Sequence, residues 1–277
     1  MEDKKQIALI KAPLRLAWRA FKKLTKTHKT KRLHHADWVF HLSALNSGRP
    51  FRCAFDVGAN KGQTTDEFVR LMPEAKIFSI EPIPEAAGEI TERFAQEPRV
   101  KVACVAMDEV KRERTFRINT FNQTSSFLNT SNQAPELAYM ELERLVLVQT
   151  TTLDAFCVTH GIAEIDILKM DVQGFEGNVL RGATESLPRV RAIYAEVLFG
   201  RYYEGQTEYS ELDIFLRKRG FWLFRIYHLS HGGDGRLLWA DALWLNGSHY
   251  PEKERRLDKW EHDLNRSLPH KATDRTL

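Results

Sequence analysis

The chain has 277 residues, of which 43% are hydrophobic and 28% are charged, and its net charge is +4. This length suits one large α/β domain with appendages or two small domains, and the composition is typical of a soluble globular protein. The sequence has three cysteines, no CxxC pair and no run of about 18 apolar residues, which excludes a disulfide-rich scaffold, a cysteine-bound zinc and a membrane-spanning helix.

The positive charge is concentrated at the start of the chain, where residues 1–32 hold eleven Lys and Arg against two Asp and Glu. The remainder holds 30 Lys and Arg against 35 Asp and Glu. Pro13 suits the first turn of a helix, after which apolar side chains such as Trp18 share one face and basic side chains such as Arg15 share another. We therefore predict a basic helical arm over residues 1–50 that packs on the body of the protein.

The N-terminal segment also bears on where the protein works. Lys11 and Arg15 interrupt the apolar core that a signal peptide needs, so we expect a cytoplasmic protein. A basic amphipathic helix can rest on an anionic surface, which leaves peripheral contact with the inner face of the membrane as an alternative. Nucleic acid is not expected as a partner, because no aromatic stacking surface accompanies the basic residues.

Strand-like and helix-like stretches alternate over residues 51–246. The stretches "FRCAFDV", "AKIFSIEP" and "RVKVACVA" predict buried strands separated by helices over residues 61–71 and 84–95, and "RERTFRIN" and "LVLVQTTTL" predict exposed strands around a polar loop. The stretches "IDILKMD" and "VRAIYAEV" predict buried strands, each followed by a helix, and "FWLFRIYHL", "GGDG" and "RLLWADALWL" predict a β-hairpin. This order predicts an α/β, Rossmann-like domain over residues 51–246, with a doubly wound, mostly parallel sheet, a C-terminal antiparallel hairpin and a charged tail over residues 247–277.

The first turn between strand and helix is rich in glycine, with the sequence Gly58-Ala59-Asn60-Lys61-Gly62 after Asp56. A dinucleotide-binding turn, G-x-G-x-x-G, has its second glycine where the backbone touches the pyrophosphate, and Asn60 stands at that position. The turn therefore favours S-adenosylmethionine, a cofactor without phosphate. An NAD(P)-dependent oxidoreductase and a non-catalytic binding module that kept the fold are the alternatives.

Three acids end successive predicted strands, at the edge where open α/β sheets bind ligands. We expect Asp56 to hold the glycine turn or to accept from the cofactor's ammonium group, and Glu81 to accept from both ribose hydroxyls. Asp108 is expected to accept from the adenine amino group. The plainer interpretations are that Asp56 caps the following helix and that Glu81 is an exposed loop acid.

The stretches "FDVGANKGQTT", "IEPIPEA" and "IDILKMDVQGFEGNVLRGA" resemble the FkbM-type S-adenosylmethionine-dependent methyltransferases. The resemblance runs from about Phe51 to Asn246, and its most specific part is the L-K-x-D-x-E-G-x-E motif. It implies a class I methyltransferase fold and O-methylation of a sugar or natural-product hydroxyl. Gln173 stands where the family usually has Glu, so a carboxylate function at this position is in doubt, whereas a polar contact can be made by an amide.

Methyl transfer to a hydroxyl needs alignment of the reactants and a base. Asp171 fits the base best, because it ends a strand beside the cofactor. Lys169 shares its face of the strand, with a buried ion pair as the plainer interpretation, and Glu196 ends the next strand. His228 and His231 lie near the hairpin turn, where a lone surface histidine is more often inert.

The remaining predictions concern the loop, the metal and the acceptor. The loop over residues 120–133 contains "NQTSSF" and is expected to contact the cofactor or the acceptor, as long loops often do. A metal site is not predicted, because no histidine-acid pair has ligand spacing near the pocket. The acceptor is expected to be a small molecule or a glycan. The predicted catalytic residues are Asp171, Lys169 and Glu196, and the predicted cofactor-binding residues are Asp56, Gly58, Ala59, Asn60, Gly62, Gln63, Glu81, Asp108, Ser125 and Asp171.

Overall fold

The computed structural model describes residues 37–46, 48–131 and 141–250, which form two sheets flanked by helices. The predicted helix after Pro13 and the predicted tail after Tyr250 lie outside these residues. The strands are β1 Cys53–Val57, β2 Lys76–Ile80, β3 Val100–Ala103, β4 Ala106–Met107, β5 Glu113–Asn119, β6 Leu142–Thr151, β7 Ile165–Met170, β8 Val190–Leu198, β9 Phe221–His231 and β10 Leu237–Asn246. The helices are α1 Asp37–Leu45, α2 Gln63–Leu71, α3 Pro84–Arg93, α4 Leu153–His160, α5 Glu176–Arg181 and α6 Tyr209–Arg217.

The larger sheet has seven strands in the order β3-β2-β1-β7-β8-β10-β9. The five neighbouring strands β3, β2, β1, β7 and β8 are parallel, and β10 is antiparallel to both β8 and β9. The doubly wound sheet with a terminal antiparallel hairpin is therefore confirmed. The chain winds outward from β1 in both directions, so the carboxyl ends of β1 and β7 form the switch point at which such sheets bind ligands.

The central strands are apolar on both faces because helices cover both sides of the sheet. In β1, Phe55 packs in one layer with Phe78 and Leu168, and Ala54 packs in the other with Ile77. Every residue of β1 and β7 is buried, including the polar ones near their ends. Polar groups in so dry an interior need partners, and their positions mark the edge at which the site is built.

The smaller sheet has the order β4-β6-β5 and contains the two exposed strands that the sequence predicted, β5 and β6, as an antiparallel pair. The prediction of one strand over "RVKVACVA" is wrong. Strand β3 ends at Ala103, and Ala106 pairs in parallel with Thr150 of β6. The chain crosses from one sheet to the other between these residues, so the residues after β4 lie away from the end of β3.

The prediction of a strand through Leu153 is also wrong, because a helix that the sequence analysis omitted begins there. Thr152 lies before α4 in an extended conformation, and its Oγ1 accepts a hydrogen bond of 3.0 Å from the amide of Ala155. Gly161 ends the helix at a φ of 63°, in the left-handed region that glycine adopts without strain. The Thr152 side chain thus converts the end of a strand into the start of a helix.

Thr152→Ala is expected to lower the free energy of unfolding by about 1 kcal/mol, since it removes the side-chain acceptor at the start of α4. Thr152→Ser keeps the hydroxyl and should stay within about 0.5 kcal/mol of the wild type. Urea denaturation followed by circular dichroism measures both values. Equal stability of the alanine and serine variants would show that the cap contributes little.

Two segments flank the predicted domain and pack on it. Trp38 of α1 is buried and stacks on Tyr194 of β8, with ring centroids 4.0 Å apart. The hydroxyl of Tyr250 donates to Asn46 Oδ1 at 3.0 Å. Residues within the predicted arm and beyond the predicted domain end therefore belong to the folded body. Among the described residues, no helix has the length and apolar character needed to cross a bilayer.

Candidate active site

A cavity of about 810 Å³ opens at the carboxyl ends of β1, β2, β7 and β8. Its size is that of a pocket for a cofactor and a small substrate. Asp56, Gly62 and Asp108 are not part of its lining. The predicted site residues that do line it are Gly58, Ala59, Asn60, Gln63, Glu81, Ser125, Lys169, Asp171 and Glu196.

The glycine turn uses its own amide groups within the protein. The amides of Gly58 and Ala59 donate to the carbonyl of Ile80 at 3.0 and 3.1 Å, and the amide of Asn60 donates to Glu81 Oε2 at 2.8 Å. Asn60 has a φ of 47°, a left-handed conformation that asparagine tolerates better than most residues. A pyrophosphate needs such amides as donors, so their use inside the protein disfavours a dinucleotide.

The two glycines of the turn serve packing of the chain. At Gly58, with a φ of 76°, a Cβ atom would lie 1.9 Å from the carbonyl oxygen of Asp171. The turn therefore touches the end of β7 directly, and only glycine permits that approach. Gly62 precedes α2 with a φ of 75°, and its Cβ would meet Phe94 at 3.0 Å, so this glycine lets α2 and α3 approach each other.

Glu81 lies at the end of β2, where its carboxylate faces the cavity and is 4% exposed. Its two oxygens accept hydrogen bonds from the amides of Asn60 and Ile83 at 2.8 and 2.9 Å. Burial nevertheless dominates and raises the pKa of Glu81 to about 7. The interpretation of Glu81 as an exposed loop acid is wrong, and the carboxylate is placed to accept from a ligand.

Asp56 and Lys169 form a buried ion pair beneath the cavity. Lys169 Nζ lies 3.0 Å from Asp56 Oδ1 and 3.9 Å from Asp171 Oδ2, and Thr65 Oγ1 donates to Asp56 Oδ2 at 2.8 Å. Burial by itself lowers the pKa of Lys169, but the charges of Asp56 and Asp171 outweigh it and raise that pKa. Asp56 therefore lies in the interior below the turn, and Lys169 connects Asp56 to Asp171 at the cavity floor.

Asp108 is held away from the cavity, contrary to its predicted contact with adenine. Its carboxylate is fully buried, and Arg112 and Arg114 each donate to Oδ2 at 3.2 Å. The cause is the crossing of the chain into the smaller sheet, which carries the end of "AMDE" away from the larger sheet. Met107 and Val105 line the cavity at this side instead.

Gln173 joins three groups around the cavity. Its Nε2 donates to Asp171 Oδ1 at 2.8 Å and to Glu196 Oε2 at 2.7 Å, and its Oε1 accepts from the hydroxyl of Tyr203 at 2.8 Å. Burial raises the pKa of Asp171 and that of Glu196. An ionised glutamate at this position could not donate to the two acids, so the bridge depends on the amide.

The loop after β5 covers one side of the cavity and is tied to the Gln173 turn. Ser125 lines the cavity as predicted, and its Oγ accepts from the amide of Asn119 at 3.1 Å. Ser126 Oγ donates to the carbonyl of Gln173 at 3.0 Å, and the hydroxyl of Tyr203 lies 3.1 Å from the carbonyl of Thr124. This loop and the β7 motif therefore close the cavity together.

Among the lining residues that the sequence did not predict, four bear on the chemistry of the cavity. Trp38, Tyr194 and Asp241 were not singled out, and His228 was treated as a surface residue of the hairpin. Asp241 carried a usable signal, because it is the one acid inside the apolar stretch "RLLWADALWL". Among residues 37–46, 48–131 and 141–250, no three His, Cys, Asp or Glu side chains are grouped so as to hold a metal ion.

The chemistry of the lining fits S-adenosylmethionine. Glu81 can accept from a ribose diol, and the apolar side chains of Ile83, Val105 and Met107 can cover an adenine ring. The amides of the turn are engaged and offer no phosphate site. The sheet order and this site together define a class I, S-adenosylmethionine-dependent methyltransferase.

Comparison with known proteins agrees with this class. The sequence model of the methyltransferase FkbM domain matches residues 56–223, and the chain belongs to this family. The chain is 30% identical over 165 residues to the 2-O-methyltransferase NoeI of Sinorhizobium fredii, covering 57% of this chain and 68% of NoeI. It is 25% identical over 202 residues to the AMB antimetabolite synthetase AmbE of Pseudomonas aeruginosa, covering 62% of this chain and 10% of that protein.

Two solved structures show weaker similarity. The 1,6-didemethyltoxoflavin-N1-methyltransferase of Burkholderia thailandensis has 13% identity and a TM-score of 0.41, over 88% of this chain and 89% of that chain. The fibrillarin of Aeropyrum pernix has 14% identity and a TM-score of 0.40, over 70% of this chain and 66% of that chain. The family match confirms the predicted methyltransferase, and neither an NAD(P)-dependent oxidoreductase nor a non-catalytic module finds support.

Proposed function

We propose that the protein methylates a hydroxyl group of a sugar or glycan. The observation that carries this proposal is the pair of carboxylates, Asp171 and Glu196, held side by side on the cavity wall by one amide. Carboxylates accept from hydroxyls, and the neighbouring Tyr194 and Tyr203 offer aromatic surface to a sugar ring. The name of NoeI, a 2-O-methyltransferase, supports oxygen as the atom that receives the methyl group.

The residues divide between the two halves of the cavity. On the cofactor side, Glu81 holds the ribose and the turn from Gly58 to Gln63 supports the amino-acid part, with Ser125 closing the pocket. When bound, the cofactor supplies a methyl group on a positively charged sulfur. On the acceptor side, Asp171 and Glu196 orient the hydroxyls, and Lys169 holds Asp171 in position.

The charges around the acceptor side favour a neutral polyol over an anionic saccharide. The cavity lining includes the carboxylates of Asp171, Glu196 and Asp241. The ammonium group of Lys169 lies closer to Asp56, at 3.0 Å, than to Asp171, at 3.9 Å. A negatively charged acceptor would meet like charges here, whereas neutral hydroxyls meet acceptors.

Two experiments test the proposed function. Calorimetry should show binding of S-adenosylhomocysteine and none of NAD. Tritiated S-adenosylmethionine should then label methyl hexosides in a panel, or the glycan fraction of an extract from the source cells. Binding of NAD alone would contradict the methyltransferase, whereas labelling confined to protein or amine fractions would contradict a hydroxyl acceptor.

Gln173→Glu is expected to lower the melting temperature more at pH 8 than at pH 5.5. The new carboxyl group would lie beside Asp171 and Glu196, so its pKa in the folded protein rises above the unfolded value of about 4.3. The folded state then binds more protons than the unfolded state, and the variant loses stability as the pH rises. Gln149→Glu is the matched control, because Gln149 makes an exposed contact to Glu113 at 2.9 Å. An equal loss at both pH values would contradict the bridge.

We also propose a cytoplasmic location, with membrane contact through the basic N-terminal segment as the alternative. The membrane contact is supported by the charge of residues 1–32, which hold eleven Lys and Arg against two Asp and Glu. Sedimentation of the full chain with phosphatidylserine vesicles distinguishes the two. Salt-sensitive binding to these vesicles, absent with phosphatidylcholine, would favour the membrane surface.

A further inference from the structure

His228 occupies a bulge in the hairpin that forms one wall of the cavity. Tyr227 pairs with Asp241 and Ser230 pairs with Trp239, so β9 has one residue more than β10 between these pairs. His228 adopts a φ of 47°, in the left-handed region that few residues other than glycine occupy. Bulges are frequent beside active sites, where they redirect a side chain, and this one places His228 in the cavity lining.

The imidazole of His228 is held by an acid. His228 Nδ1 lies 2.7 Å from Asp241 Oδ2, and the hydroxyl of Tyr194 lies 3.2 Å from the same nitrogen. The side chains of His228 and Asp241 are 26% and 27% exposed, so both are partly covered yet reach the cavity. Because an ionised carboxylate only accepts, Nδ1 carries the proton in the neutral ring, and Nε2 is the nitrogen that can take another.

The other acids of the acceptor side are already engaged. Asp171 accepts from Gln173 and faces the ammonium of Lys169, and Glu196 accepts from the same amide. Each of these two carboxylates already uses one oxygen to accept from the Gln173 amide, so that oxygen is not available to take a proton from the acceptor hydroxyl. An imidazole supported by a carboxylate is better suited to remove a proton near neutral pH.

We propose that His228 is the catalytic base and that Asp241 is its positioning residue, an inference that rests on the proposed hydroxyl acceptor. His228 Nε2 takes the hydroxyl proton while the oxygen forms its bond to the methyl carbon, and the electron pair of the broken carbon–sulfur bond stays on sulfur. Asp241 faces the positive imidazolium that results. Both residues lie beyond the family match at residues 56–223, so the match itself does not include this base.

Charged and polar side chains from several elements surround His228. Asp241 faces the imidazole from β10, Tyr194 from β8 and Glu67 from α2. Burial raises the pKa of the Glu67 carboxyl, and the nearby His228 lowers it by a smaller amount. Lys169, Asp171 and Glu196 line the same cavity. Replacing Asp241 by Asn removes the nearest negative charge, so the imidazolium becomes less favoured and the His228 pKa falls.

The test compares His228→Gln and Asp241→Asn with His231→Gln, a matched histidine at the exposed end of the same strand. His228→Gln should reduce tritium transfer into the fraction labelled by the wild type at least 100-fold, with S-adenosylhomocysteine affinity by calorimetry within twofold of the wild type. Asp241→Asn should slow transfer and move the acid limb of the pH–rate profile to lower pH. His231→Gln should behave as the wild type.

A readout without turnover completes the test. Nitrogen-15 shifts of the His228 ring, measured at pH 8 on the wild-type protein, should show Nδ1 protonated and Nε2 unprotonated. Retention of more than a tenth of the transfer rate in His228→Gln, or the opposite tautomer, would overturn the assignment of the base while leaving the methyltransferase intact. Absence of any labelling by a wild type that still binds S-adenosylhomocysteine would overturn the hydroxyl acceptor and the base together.

Discussion

Glu81→Ala is expected to weaken the binding of S-adenosylhomocysteine about 100-fold or more. The carboxylate of Glu81 is the group at the end of β2 that faces the cavity, and its loss removes the acceptor for two ribose hydroxyls. Hydrogen bonds to a charged group contribute roughly 1.5–3 kcal/mol each, and about 1.4 kcal/mol corresponds to a tenfold change in affinity. Calorimetry at pH 8 measures the loss directly.

The same carboxylate predicts how the affinity depends on pH. Its pKa is raised to about 7 by burial, so below that pH the ligand-free protein holds a protonated Glu81 that must release its proton before it can accept from both hydroxyls. Affinity should therefore fall by up to tenfold per pH unit as the pH drops from 7 to 5.5, and level off above 7. Glu81→Gln should remove this component of the dependence.

The control for this experiment is Glu85, an exposed acid on the next helix. Its pKa is lowered by a hydrogen bond from Arg144, so it remains ionised over the range tested. Glu85→Gln should keep both the affinity and the pH dependence of the wild type. An unchanged pH dependence in Glu81→Gln would assign the titration to another group of the cavity, such as Asp171 or Glu196.

The part of the cavity built on the ends of β1, β2 and β7 could be predicted from the sequence because each of its signals is local. The turn after β1, the acid that ends β2 and the "LKMD" stretch each stand at the end of a recognisable strand, and parallel strands bring such ends to one edge. The prediction that Asp108 lies in the cavity was wrong because it assumed that one strand ran through Ala106. A strand of two residues, β4, has no pattern that a sequence can show, yet it redirects the chain.

The cavity wall that contains Trp38 and His228 could not be predicted from the sequence, for a different reason. Trp38 reaches the cavity from a helix that precedes the family match, and only the folded chain brings it against Tyr194. His228 faces the cavity because a bulge adds one residue to β9, and a shift of one residue reverses which side of a strand a side chain faces. Alternation in the sequence cannot reveal that shift, so His228 looked like a residue at the turn.

Lys169→Met is expected to lower the free energy of unfolding by roughly 3–5 kcal/mol, the cost typical of breaking a buried ion pair. The substitution fills a similar volume but leaves the carboxylate of Asp56, which is fully buried, without its ammonium partner at 3.0 Å. For a domain of this size the melting temperature should fall by about 10 °C. Differential scanning calorimetry measures the change, and Lys61→Met is the control, since Lys61 and Glu89 are both mostly exposed and 4.0 Å apart.

The double variant Asp56→Asn, Lys169→Met separates the ion pair from the packing of the lysine stem. Neutralising Asp56 removes the uncompensated charge, so the double variant should be more stable than Lys169→Met alone, by an interaction energy of about 1–3 kcal/mol. Thr65 Oγ1 can still donate to the amide oxygen that the first substitution introduces, in place of the carboxylate oxygen it now contacts at 2.8 Å. Strict additivity of the two substitutions would mean that the lysine matters through its packing alone. A second measurement is the binding of S-adenosylhomocysteine. If Lys169→Met loses this binding and the double variant regains stability without regaining it, the lysine also holds Asp171 and the cavity floor in place, since Lys169 lies between the two acids.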